Sequence, residues 1–379
     1  MSASSFDVAV VGAGVMGATV ALFLARGGMN VALLDKGGIC RQASGVNAGT
    51  LTMNMTRVAL IPFALKGHAM WASASRWLGH DVGVQVCDGL SLAFTKREAT
   101  VLAERAARRR TAGAPIELVD GKRAKQIEPG LSDHVMLAAY CAVDGFANAY
   151  LTGIAYRNAL TETGVMIMEH TATTGVHRAT AGFVLSTSAG AVRARRLVLA
   201  GGVWLETMAA WFGLRIPIKV LINQLAVTAR VPPIMRTVVG VASGLLSLKQ
   251  FPHGTVVIGG GWQGLGDREH GPTAFKAESL IGNVRLACHA VPALRGSRII
   301  RAWLGLEAET ADALPAIGPL PGVPDAFMIG SVHSGYTSGP YLASLLADQM
   351  LGREPEMSFA AFNPARLLMP PSTDPRAAK

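Results

Sequence analysis

The chain has 379 residues, half of them hydrophobic and 16% charged, with a formal net charge of +10. That length exceeds what one core comfortably fills and the apolar content argues against a disordered chain, so an α/β enzyme of two closely joined domains is the expectation. The basic charge is dispersed except at Arg105, Arg108, Arg109 and Arg110 and at Arg193, Arg195 and Arg196. Neither cluster interleaves with aromatic residues, so the first is read as a solvated helix face, with RNA or an acidic partner subunit as the minor alternative.

The four cysteines, Cys40, Cys87, Cys141 and Cys288, form no CxxC pair. This argues against a metal site or a disulfide framework and favours a reducing cytoplasm. No charged leader precedes the first apolar run, and no later run reaches the roughly 18 to 20 residues that a membrane span requires.

Taken in chain order, "DVAVVGAG" is a valine-rich strand buried on both faces. The glycines at Gly12, Gly14 and Gly17 follow at the spacing of a tight turn, a close approach to a pyrophosphate and a close helix–sheet contact. The helix "VMGATVALFLARGG" places its N-terminal amides toward those phosphates, and "NVALLDK" is a second buried strand delivering Asp35 to a ribose. Strand, glycines, helix, strand and acid together make a nucleotide-binding βαβ unit that does not by itself separate NAD from FAD.

After Asp35 the polar, small-residue segment from Arg41 to Asn54 suits a run alongside a ligand. "KREATVLAERAARRR" is helical, whereas "LINQLAVTARV", "GLLSLKQFP", "TVVIGGGWQG" and "RIIRAWLGLEAE" are rich in strand formers. "RARRLVLAGGVW" returns a buried strand to the first sheet. Near the end, "DAFMIGSVHSGYTSGPYLASLLADQMLG" predicts a strand, a turn and a helix from about Gly339. The chain after about Pro355 is expected to be poorly ordered.

In that order, "ASGVNAG", "VDGFANAYLTG", "RAWLGLEAETADALPAIGP" and "VHSGYTSGP" join the fingerprint in a resemblance to FAD-dependent oxidoreductases of the D-amino-acid oxidase type, which include glycine and sarcosine oxidases. Within that family, "SGVNAGTL", "VIGGGWQG" and "HSGYTSGP" look most similar to FAD subunits of dehydrogenase complexes acting on D-hydroxyproline or opines. The resemblance implies a Rossmann-type FAD-binding domain assembled from both ends of the chain (1–80, 140–215 and 315–365). It also implies an antiparallel β-sheet substrate domain flanked by helices (81–139 and 216–314), and a flexible tail over 366–379.

The same resemblance implies a set of FAD contacts. Gly12, Ala13, Gly14, Met16 and Gly17 fall at the pyrophosphate, and Asp35 and Lys36 at the ribose end. Ser44, Gly45, Asn47, Ala48 and Gly49 fall along the ribityl chain and flavin, with Val176 at the adenine. Ala200, Gly201, Trp204 and Gly330 close over the nucleotide, and Gly335, Tyr336 and Thr337 approach the flavin ring.

For the substrate, His333, Glu307 and Trp262 are the candidate catalytic residues, and Met53 and Asn54 are candidates for the cavity wall. Many relatives of this type carry a carboxylate-gripping arginine where this chain has Glu307, and a tyrosine near Ser247. Arg301 shares a strand face with Glu307 but lies roughly 20 Å away by the strand rise. The two-point carboxylate clamp is therefore absent. Glu307 then attracts a cationic part of the substrate, or the substrate carboxylate is held elsewhere.

The expected activity is FAD-dependent oxidation of the C–N bond of an amino acid or secondary amine, by a dehydrogenase subunit that passes electrons to partner subunits. A stand-alone oxidase, a mainly structural flavin-binding subunit, an RNA-modifying flavoprotein and an NAD-only dehydrogenase are the alternatives.

Overall fold

The computed structural model describes residues 5–330 and 335–370. Its first sheet is built on Ser5–Val11, whose parallel neighbours are Val31–Leu34 on one side and Gly190–Leu199 on the other. Met166–Met168 extends the sheet beyond Val31–Leu34, again in parallel. The long strand Gly190–Leu199 works twice. Its first half pairs antiparallel with Gly182–Thr187, and its second half pairs in parallel with Ala326–Gly330, so the start, middle and end of the chain meet in one sheet.

The central strand is buried on both faces, as a parallel sheet covered by helices requires. One face packs on Val15–Arg26 and Gly335–Met350, which lie against each other, and on Ile61–Ala72. Trp71, fully buried there, donates its indole N–H to the Tyr336 carbonyl at 2.8 Å and stacks on the Tyr336 ring at 4.6 Å.

The second sheet runs in the order Ile299–Glu309, Lys219–Thr228, Val256–Gly259, Ser247–Gln250, Val238–Val241, Gly89–Ala93, Leu137–Cys141, Ile116–Asp120. Every pairing is antiparallel except Val238–Val241 with Gly89–Ala93. That parallel pair is the seam between strands drawn from two separate stretches of chain. Helix Lys96–Thr111 covers one end of this sheet and Ala277–Ala290 covers part of the rest. Lys96–Thr111 starts in a capping box: Thr95 Oγ1 accepts from the Glu98 amide at 3.2 Å, and Glu98 accepts from the Thr95 amide at 2.9 Å.

Two expectations about the C-terminal part need correction. The last long helix begins at Gly335, four residues before the expected Gly339, because its glycines and serine are held in a packed helical turn. The segment after Pro355 is packed through Leu367, with Phe359, Phe362 and Leu367 buried and Arg366 paired to Asp312 at 2.7 Å. Residues 371–379 of the expected tail lie outside the described residues. Among the described residues no helix is long and apolar enough to cross a membrane.

Candidate active site

The two sheets enclose one continuous cavity of about 1190 Å³, running from the fingerprint glycines to the strand carrying Glu307. Gly12 ends the first strand with φ +111°, and a Cβ there would lie 2.4 Å from the Ala200 carbonyl oxygen. A Cβ on Gly17 would lie 2.0 Å from the Gly12 carbonyl. These two glycines let the helix press onto the ends of two parallel strands. Its first turn contains no acidic residue, so its positive dipole end meets the cavity with no carboxylate of its own helix to offset it.

Around this turn Asp35 is oriented by backbone, accepting from the Ala13 amide and the Gly37 amide at 2.7 Å each. Ala13 is thereby buried behind the cavity, whereas Gly12, Gly14, Met16, Gly17, Asp35 and Lys36 line it. The Lys36 ammonium sits 3.5 Å above the Trp204 ring, and burial lowers its pKa while Asp35 opposes that. Ala200, Gly201, Trp204 and Gly330 complete this end of the cavity.

Ser44 Oγ accepts from the Val15 amide at 2.9 Å, joining the next segment to the helix start. Ser44, Asn47 and Ala48 line the cavity. Gly45 and Gly49 do not; they permit close passage, since a Cβ would meet the Cys40 or Ala147 carbonyl at 1.9 and 2.0 Å respectively. Gly335 and Tyr336 line the cavity across from this segment, and Thr337, buried, donates to the Thr50 carbonyl at 3.3 Å.

Behind this segment lies a cation to which no sequence pattern pointed. Lys249 is 0% exposed, and its Nζ donates to the Ala48 carbonyl at 3.1 Å, to Ser247 Oγ at 2.9 Å and to Thr50 Oγ1. Burial lowers its pKa to about 7, with the nearby Cys87 acting the other way. The polar alternation of Ser247 and Lys249 carries the ordinary signature of a solvent-facing strand, which here faces the cavity lining instead.

On the substrate side Glu307 lines the cavity and accepts from Asn223 Nδ2, and Gln263 donates to Asn223 Oδ1. Gln263 is itself fixed by accepting from the Ile222 amide at 2.7 Å. Gly305 carries no side chain because a Cβ would collide with Val46 at 2.6 Å, and Trp303 donates to the Val46 carbonyl at 2.7 Å. Ser247 also faces the cavity.

Several expectations are placed differently. Trp262 does not reach the cavity: its indole donates to the Leu245 carbonyl at 2.8 Å and packs over Gly282, while Gly261 and Gln263, one position to either side, line the wall. Val176 is buried in the hairpin, paired with Leu185, and the residues of this stretch that line the cavity are Thr171–Thr173. Met53 is core and Asn54 lines the cavity. His333 lies outside the described residues. Arg105, Arg108 and Arg110 are exposed, as a solvated face requires, and Arg105, Arg108 and the half-buried Arg109 also border the cavity.

A family model described as "FAD dependent oxidoreductase" matches residues 7–349. The chain belongs to this family. Glycine oxidase of Geobacillus kaustophilus is 26% identical over 370 residues, covering 95% of this chain and 97% of the relative. An opine oxidase subunit of Rhizobium meliloti is 28% identical over 374 residues, with the same coverage of each. The crystal structure of that glycine oxidase superposes with a TM-score of 0.87, covering 95% of this chain and 98% of the other. L-proline dehydrogenase from P. horikoshii shares the fold at a TM-score of 0.87 and 22% identity, covering 96% and 98%.

FAD is thus the cofactor of this FAD-dependent oxidoreductase, and the geometry fits it: a glycine turn at a helix start, an oriented carboxylate one strand away, and a long cavity continuing to the second sheet.

Two outcomes are expected. Gly17→Ala forces the helix away from the Gly12 carbonyl and should yield protein without bound flavin, read from the visible absorbance of the purified sample. For Lys249, the unfolded chain keeps the ordinary value of 10.5 while the folded value is about 7. The unfolded state therefore binds the extra proton between those limits, and this group makes stability rise with pH across that window. Urea unfolding at pH 7, 8 and 9 should show a flatter rise for Lys249→Met; an identical slope would refute the assignment.

Proposed function

We propose that the protein oxidises the C–N bond of an amino acid or secondary amine, as a dehydrogenase subunit working with electron-transferring partners. The observation that carries this reading is the single cavity joining the nucleotide cradle to a polar wall of Glu307, Asn223 and Gln263. When bound, FAD supplies a hydride acceptor for the carbon beside an amine nitrogen, and the resulting imine is hydrolysed by water. The chain's part is orientation and exclusion of solvent.

In this reading the amides around Gly12, Gly14 and Gly17 hold the pyrophosphate, Asp35 the adenosine ribose, and Thr171–Thr173 the adenine end. Ser44, Asn47 and Ala48, pinned from behind by Lys249, border the flavin, and the helix start at Gly335 and Tyr336 places amide dipoles toward its ring. Glu307 and the side-chain amide oxygens beside it accept the N–H groups of a cationic substrate. Partner subunits enter from the likeness to the opine oxidase subunit, and a cytoplasmic setting from the cysteine usage.

An anaerobic visible spectrum, taken before and after adding amino acids, N-methyl amino acids, hydroxyprolines and opines, tests the reading directly. Bleaching by one class supports it. A flavin that no amine bleaches, even with partner subunits present, overturns it. Glu307→Gln should raise KM for the bleaching amine about tenfold at pH 7 with a smaller change in kcat, a loss of the size that a charge-assisted hydrogen bond contributes; an unchanged KM would remove Glu307 from substrate binding.

A further inference from the structure

The substrate side of the cavity carries more basic than acidic side chains. Arg57, Arg105, Arg108, Arg109 and Lys219 border the cavity with only Glu307 and Glu309 as carboxylates on the substrate side. Arg57 and Lys219 share Glu309, at 3.0 and 3.4 Å. Among the described residues, Arg105, Arg108 and Arg109 have no carboxylate within ion-pair distance.

Arg105, exposed, and Arg109, half-buried, stand one helical turn apart on Lys96–Thr111, and both border the cavity. Each is aimed by a single backbone anchor: Arg105 Nη1 donates to the Ala242 carbonyl at 2.6 Å, and Arg109 Nε donates to the Thr56 carbonyl at 2.9 Å. The remaining N–H donors of both guanidinium groups are left for other acceptors. Helix-dipole compensation accounts for cations in the last turn, Arg108 to Arg110, but not for Arg105. The groups also repel one another. The pKa of Arg109 is lowered to about 10, first by burial and next by the charge of Arg105, with Arg57 adding to it and Asp144 opposing. An anion between them removes that repulsion.

A second feature lies beside them. Asn54, 7% exposed, borders the cavity three residues before Arg57. Its Nδ2 donates to the Ala139 carbonyl at 3.2 Å and to Asp144 at 3.3 Å, which fixes the amide orientation and leaves Oδ1 buried with no hydrogen-bond partner. A buried acceptor of this kind is costly unless a ligand donor reaches it.

We propose that Arg105 and Arg109 bind the carboxylates of a dicarboxylic amine whose N–H is received by Asn54 Oδ1, so that substrate carboxylates are gripped from the helix and not from the strand carrying Glu307. This deepens the amine-oxidising reading and rests on it for the amine. Two guanidinium groups without acidic partners, one turn apart, suit two carboxylates, each of which one planar fork can hold.

The test uses the FAD-loaded protein and isothermal titration with glutarate, in which CH2 replaces the NH of the simplest such amine and which presents no C–N bond to oxidise. Butyrate, with one carboxylate, is the comparison. Glutarate should bind at least tenfold more tightly than butyrate, weaken with salt, and lose at least tenfold in Arg105→Gln and Arg109→Gln, with Arg105→Lys between. Arg105 is the more exposed of the two, so its variants carry the test where Arg109→Gln fails to fold. Equal binding of butyrate, or a glutarate Kd unmoved by Arg105→Gln, overturns the proposal. Because glutarate binding requires no oxidation, arginine-dependent binding in a protein that no amine bleaches would sink the amine reading while leaving the anion site standing. Bleaching by amines with arginine-independent glutarate binding would do the reverse.

Discussion

The constraint on which the structure depends is the backbone contact among Gly12, Gly17 and Ala200. Two chain segments almost two hundred residues apart end their strands side by side, and the helix after the first must start within van der Waals reach of both. No side chain fits at either glycine, so the register of the sheet, the aim of the helix start and the width of the cradle are fixed together. Ala326–Gly330 then pairs with the far half of Gly190–Leu199 and brings the second long helix to the same rim. A nucleotide cavity built from the beginning, middle and end of a chain follows from that single close approach.

The cavity's second half depends on charges buried behind its lining. Asp144 accepts from the Met53 amide at 2.7 Å and from the Thr52 hydroxyl at 2.5 Å, and burial raises its pKa against the pull of those hydrogen bonds. Lys249 performs the complementary task for Ala48 and Thr50. An irregular segment from Ser44 to Arg57 has few ladder hydrogen bonds of its own, and these two side chains satisfy its polar groups where water is excluded. Burying an ionisable group for this purpose is expensive, and it is tolerated where a segment must hold one shape against a ligand.

Legibility in the sequence divides along the same line. The βαβ unit, the return of "RRLVLAGG" to the first sheet and the strand-rich second domain were readable because each depends on local pattern: continuous apolar runs, glycine spacing and period-two alternation. Glu307 was found by its departure from a family pattern, and its place on the cavity follows from strand periodicity. Trp262 was misplaced because residues beside a glycine turn can face either way, and periodicity alone does not choose. Lys249 gave no signal, since a polar residue at alternate strand positions reads the same whether it meets solvent or a cavity, whereas Asn54 was marked as wall by the small-residue segment that carries it.

The arginines of Lys96–Thr111 show why that ambiguity matters. Composition describes a solvated stripe, and helical spacing shows that Leu102, Arg105 and Arg109 share one face, but neither says what stands opposite. The parallel seam between Gly89–Ala93 and Val238–Val241 answers that. It sets the helix beside Ala242 and the turn at Thr56, whose carbonyls take one donor from each guanidinium and hold both groups at the cavity border. Glu307 on its strand and Arg105 and Arg109 on the helix thus border one cavity, where a single ligand can meet both an acidic and a basic group.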